Sequence, residues 1–123
     1  MSGNAATSDL AARRCEPCEG GTPPLTRSAS EPYLAEVGSA WSLDEDGTAI
    51  ARSITFRTFQ RAMRFVNAVA DLAEDEGHHP DFCVSYKRVD LSVSTHSIGG
   101  LSENDFILAA KTNQLLSDLR DEG

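Results

Sequence analysis

Residues 58–77 read TFQRAMRFVNAVADLAEDEG, the longest periodic segment of the chain. Phe59, Ala62, Met63, Val66, Val69, Ala70 and Ala73 recur at the i, i+3, i+4, i+7 spacing of an amphipathic helix, and Phe65 and Leu72 widen the apolar stripe. Thr58 suits an N-cap, and Gly77 stands where a helix ends in a left-handed residue. A helix of this length with one apolar face needs a layer to cover.

The flanking segments supply that layer. On the N-terminal side, Trp41–Leu43 and Ile50–Phe56 read as strands joined across Asp46-Gly47, a hairpin signal. Ile50, Arg52, Ile54 and Phe56 share one strand face, with Arg52 out of place among apolar neighbours. On the C-terminal side, Phe82–Tyr86 and Arg88–His96 read as two more strands. In the second, Val89, Leu91, Val93 and Thr95 point one way and Asp90, Ser92, Ser94 and His96 the other. A short helix ending at Gly38 precedes the first hairpin, and a helix from Ser102 to about Leu119 follows the second. The order α-β-β-α-β-β-α predicts an α+β two-layer sandwich: a four-stranded antiparallel sheet with three helices packed on one face. The other sheet face is either partly polar or pairs with another subunit.

The 123 residues make one domain. Residues 1–24, with Gly20-Gly21, Pro17, Pro23 and Pro24, read as a flexible N-terminal tail, and 25–120 as the folded domain. A net charge of -8 without a Lys/Arg-rich run argues against nucleic acid, and no basic amphipathic helix or long apolar run points to a membrane. The first ten residues lack a secretory pattern, and three cysteines form no even disulfide framework, so the expected compartment is the cytoplasm.

All three histidines sit in informative places. His78-His79 follow a helix directly, Pro80 biases His79 towards an extended backbone, and His96 ends a strand on its polar face. Imidazoles titrate near neutrality, so three of them converging would suit acid–base chemistry without a nucleophile. The plainer alternative is a solvated pair and an ordinary strand-end residue. Glu74, Asp75 and Glu76 crowd a helix C-terminus, where the macrodipole disfavours acids. Such a broken local rule beside histidines points to a site, although a solvated acidic surface suffices for Asp75 and Glu76. Ser102-Glu103-Asn104-Asp105 reads as an N-cap with an acid three residues on. Asp105 is therefore either a cap partner or a residue that orients a histidine.

Taken together, Glu74, His78-His79-Pro80, Tyr86, His96 and Asp105, at these spacings, resemble the pterin-4a-carbinolamine dehydratase family over about Leu25–Leu119. The resemblance implies a dehydratase that converts 4a-hydroxytetrahydropterin to quinonoid dihydropterin and water, recycling the cofactor of an aromatic amino acid hydroxylase. It implies His78, His79 and His96 as catalytic residues, with Glu74, Ser94, Thr95 and Asp105 binding substrate or supporting the site. It also implies a homodimer or homotetramer, no metal, and no cofactor, the pterin being the substrate. Gly77 and Asn104 depart from the animal-type pattern, which favours an acid and an arginine there.

Two other readings compete. Some relatives act without catalysis, as Rubisco assembly factors or transcriptional coactivators, and fold alone does not separate these roles. Zinc is the second: His78, His79, His96 and Cys83 are possible ligands, and Cys15-x-x-Cys18 has ligand spacing without a second pair. Cys83 is most simply a small core residue.

Overall fold

A computed structural model of the chain describes residues 10–16 and 23–121. Helix α1 spans Arg27–Val37, β1 Ser42–Leu43, β2 Ile50–Thr55, α2 Phe59–Glu76, β3 Asp81–Ser85, β4 Arg88–Val93 and α3 Glu103–Asp121. The sheet order is β1-β2-β4-β3 with every pairing antiparallel. This is the expected α+β sandwich, with helices over the sheet. Among the described residues no helix is long and apolar enough to cross a membrane.

Caps set the ends of α2 as the sequence predicts. Thr58 Oγ1 accepts from Arg61 N, and Gly77 is left-handed at φ 67°. The buried stripe is Ala62, Phe65, Val69, Ala73 and Glu76, so Phe65 is its centre, while Phe59 is 48% exposed. Facing it are Ile50, Ile54, Val89, Leu91 and Val93 from the sheet and Phe106 to Ala110 from α3. β4 is central and alternates cleanly. β3 is an edge strand, on which Phe82 packs inwards and Cys83 is exposed. Cys83 is thus not a core residue: the two-residue period that buries Phe82 turns its neighbour outwards.

Arg52, misplaced by pattern, is accommodated by one residue of α3. Asn113 Oδ1 accepts from Arg52 Nη1 at 2.6 Å and Trp41 Nε1 at 2.8 Å, while its amide donates to Val37 O at 2.8 Å. Asn113→Leu leaves these three groups short of a partner in a half-buried setting. The expected loss of unfolding free energy is about 2–4 kcal/mol, readable as a lower urea midpoint at unchanged slope.

Of the segment expected as a tail, residues 1–9 and 17–22 lie outside the described residues, Cys18 and Gly20-Gly21 among them. Residues 10–16 are seated on the body, with Leu10 2% exposed within the core cluster.

Candidate active site

The C-terminus of α2 delivers both adjacent histidines. Gly77 N and His78 N both bond to Ala73 O, which closes the helix and turns the chain. Adjacent side chains then diverge. The His78 side chain is 11% exposed, and its Nε2 lies 2.6 Å from Asp105 Oδ1. The His79 side chain is 59% exposed, and its Nε2 lies 2.6 Å from Glu74 Oε2 on the surface. Each imidazole has its own carboxylate, one buried and one solvated.

Asp105 is fully buried at the start of α3. Beyond His78 it receives Thr95 Oγ1–H at 2.8 Å and Ser102 N–H at 2.9 Å, both on Oδ2. Ser102 Oγ lies 2.7 Å from Thr95 Oγ1. The two readings of Asp105 therefore hold together: one oxygen completes the helix cap and the other fixes a histidine. A buried carboxylate is tolerable only with such a full set of donors. Because the carboxylate accepts, His78 carries its proton on Nε2. Nδ1 has no hydrogen-bond partner among the described residues.

The strand expected to reach His96 stops at Val93. Thr95 and Gly100 pair across the chain, N to O at 2.8 and 3.4 Å, and the residues between fold into a 3-10 turn, His96–Ile98, closed by left-handed Gly99. Gly100 is required here, since a Cβ would come within 2.7 Å of Pro24 Cβ. His96 thus opens an exposed turn instead of ending a strand. Thr95 is buried and Ser94 half-buried. The structure brings together His78, Thr95 and Asp105, pairs His79 with Glu74 apart from them, and leaves His96 in its turn beside Thr95.

A cavity of about 330 Å³ opens beside the buried pair. Its lining comprises Gly77 and His78, Thr95 and Ser97, Asn104 and Glu76, and Cys15 and Glu16. Its size falls in the range of small-molecule sites. Elsewhere, a cleft lined by Phe56, Arg61, Arg64 and Leu119 has only about 40 Å³. A wider one of about 460 Å³ against Tyr33, Arg13 and Glu103 holds no histidine. Among the described residues no three His, Cys, Asp or Glu side chains group as a metal site.

Glu76 departs from the expectation of a solvated acid: its side chain is 2% exposed. The signal was available, because Glu76 continues the 62-65-69-73 stripe by one more step. Cys15 N–H donates to its Oε1 at 2.8 Å, and Lys111 Nζ and Arg14 Nη1 lie 3.5 and 3.8 Å from Oε2. Burial pushes its carboxyl up, but the Cys15 N–H, Lys111 and Arg14 outweigh burial and hold it below its ordinary value of 4.5. A depressed native pKa contributes stability that is complete above 4.5 and is lost as pH falls through the native value. Unfolding free energy should therefore decline below about pH 4.5, and Glu76→Gln should flatten that decline in urea titrations at stepped pH. Burial first, then the negative charges of Glu76 and Asp105, push the Cys15 thiol up to about 12, so it is protonated at neutral pH.

Comparison with known proteins gives the family. The sequence profile of the family described as pterin 4 alpha carbinolamine dehydratase matches residues 23–115. A protein of that name from Nitrosomonas eutropha is 47% identical over 108 residues, covering 88% of this chain and 94% of its own. One from an Azoarcus species is 47% identical over 110 residues, covering 89% and 93%. Among solved structures, a transcriptional coactivator/pterin dehydratase from Brucella melitensis superposes with TM-score 0.71 at 35% identity, covering 75% of this chain and 97% of that one. A pterin dehydratase-like protein identified as a RuBisCO assembly factor in the alpha-carboxysome shares the fold alone, with TM-score 0.56 at 20% identity over 64% and 92% of the two chains. By the profile match and by relatives that align almost end to end, the chain belongs to the pterin-4a-carbinolamine dehydratase family.

Proposed function

We propose that this protein is a 4a-hydroxytetrahydropterin dehydratase working by histidine acid–base catalysis. The observation that carries the reading is His78, bonded to the buried Asp105, on the wall of a ligand-sized cavity. In the reaction the C4a–O bond breaks and the departing hydroxyl takes up a proton to leave as water. The ring N–H beside C4a gives up a proton, and its electron pair forms the C=N bond of the quinonoid product. Protons balance, and no redox partner is needed.

His78 exchanges protons through Nδ1 while Asp105 holds the opposite side of the ring. His96 supplies the second proton-transfer group from its turn beside Thr95. His79 binds and orients the pterin, with Glu74 positioning its ring. The backbone at Ser94 and Thr95 offers hydrogen bonds to the pterin's amide edge. The substrate arises where a hydroxylase has spent its tetrahydropterin, and the product passes to a reductase. A non-catalytic interaction role gives no reason to retain a buried carboxylate locked to a histidine beside an open cavity.

The test is stopped-flow ultraviolet absorbance of 4a-hydroxytetrahydropterin decay. The wild type should accelerate decay well beyond the spontaneous rate, and His96→Ala should lower kcat about 10²-fold, the lower end of general acid–base contributions. No acceleration by folded wild-type protein would sink the reading.

A further inference from the structure

The cavity wall includes Cys15 and Glu16, from the segment that precedes α1. Residues 10–16 lie against α2 and α3, to which the following hydrogen bonds and ion pairs run. Leu10 is buried in the core, and Ala11 O accepts from Lys111 Nζ at 2.8 Å. Arg13 pairs with Glu103, and Arg14 donates to Asp75 O at 3.1 Å. At the cavity itself the hold is tighter. Cys15 N–H is taken by the buried Glu76 carboxylate. Glu16 N–H donates to Asn104 Oδ1 at 2.9 Å, and the Asn104 amide donates back to Glu16 O.

The last pair has a specific chemistry. A side-chain amide that both accepts from and donates to one residue's main chain imitates a strand neighbour. Neither an arginine nor a carboxylate can do both. Asn104 is one of the two positions where this chain departs from the animal-type pattern, and it is 8% exposed. It therefore faces the backbone of the arm instead of solvent. Glu76, the carboxylate on the buried stripe, holds the preceding residue from the other side.

We propose that residues 10–16 are an active-site arm that completes the pterin-binding wall, with Asn104 and Glu76 as the positioning residues that clamp it. The inference rests on the dehydratase reading for the identity of the ligand. Neither clamp residue contacts the Asp105–His78 pair through any hydrogen bond described above. Loosening the clamp therefore weakens substrate binding and leaves proton transfer in place. The raised thiol pKa of Cys15 makes that residue a reporter, since a docked arm keeps it protonated and unreactive.

The experiment uses the full chain carrying Cys18→Ser and Cys83→Ser, so that Cys15 is the sole thiol. Iodoacetamide labelling at neutral pH is expected to be about 10²-fold slower in the folded protein than in urea. Asn104→Ala should speed native labelling at least about tenfold. It should also raise KM for the 4a-hydroxypterin about five- to tenfold, with kcat within about twofold. Glu76→Gln, which keeps an acceptor for Cys15 N–H but loses the ion pairs, should give the same signs with smaller effects. A purely structural role would lower stability without splitting KM from kcat. Dissociation constants for 7,8-dihydrobiopterin, read by fluorescence quenching, follow binding without turnover. If wild type binds this ligand but does not turn over, the dehydratase reading fails, and the labelling and binding shifts still decide the arm. Native Cys15 labelling as fast as in urea overturns the proposal. So does faster labelling in Asn104→Ala with unchanged KM and unchanged dihydrobiopterin affinity.

Discussion

His78→Ala is expected to lower the catalysed dehydration rate by about 10³-fold, whereas His79→Ala lowers it less than tenfold. The two residues are neighbours in sequence, so the contrast comes from their surroundings. His78 is held against a fully buried carboxylate, with one ring nitrogen engaged and the other available. Its position is fixed before substrate arrives, and the barrier carries no added cost for orienting it. His79 and its partner Glu74 are both largely in water, at 59% and 79% side-chain exposure. Water supplies much of what such a pair provides, and exposed ion pairs contribute little. His78→Ala also strips Asp105 of a donor and should cost about 1–3 kcal/mol of stability. Urea unfolding of the same sample separates that loss from the rate effect. Stopped-flow kinetics giving the opposite order, with His79→Ala the more damaging, would transfer the proton-exchanging role to the solvent-exposed pair.

Most of the architecture was legible because it is written in periods and caps. The α2 helix carries a 3.6-residue stripe between Thr58 and Gly77, and β4 alternates without a fault from Val89 to Val93. Both are long enough for pattern to dominate local noise. What escaped reading depends on contacts between distant parts of the chain. Pattern counts Glu76 as a charge among charges, and Cys15 N–H, Lys111 and Arg14, 61, 35 and 62 positions away, make its burial tolerable. Cys83 looked like core because its neighbours are apolar, yet nothing local says that β3 lies at the sheet edge. Alternation carries the strand reading three residues past Val93 to His96, because nothing local shows that Thr95 turns back to pair with Gly100. The segment 10–16 is rich in polar and small residues and has no period, so its docking is visible only with α2 and α3 in place. In the site, residue types pointed to the histidines, whereas spacing alone favours a helix cap for Asp105 and only the family resemblance places it in the site. None of these told that His78 and His79 would take separate carboxylates, because that division follows from the left-handed turn at Gly77.

Asp105→Asn should leave the protein folded and lower kcat by about 10²–10⁴-fold, the scale seen when a histidine is held in the wrong tautomer. The substitution changes almost nothing in volume. An asparagine oxygen can still accept from Ser102 N–H and Thr95 Oγ1–H, the two donors now on Oδ2. That arrangement turns the asparagine NH2 towards His78 Nε2, where a carboxylate oxygen now accepts at 2.6 Å. Two donors cannot face each other at that distance, so the imidazole shifts its proton to Nδ1 and lets Nε2 accept. Acting as a base, His78 then presents a nitrogen that is already protonated. Acting as an acid, the ring has a neutral amide behind it where the carboxylate stood. Both halves of the dehydration cycle suffer, while the folding cost is one charge-assisted hydrogen bond exchanged for a neutral one, about 1–2 kcal/mol. Nitrogen-15 NMR of the ring reports the tautomer directly: Nε2–H in the wild type and Nδ1–H in the variant. A folded Asp105→Asn protein with the wild-type rate would leave Asp105 as a helix cap and nothing more. A lowered rate with the tautomer unchanged would assign its effect to charge alone.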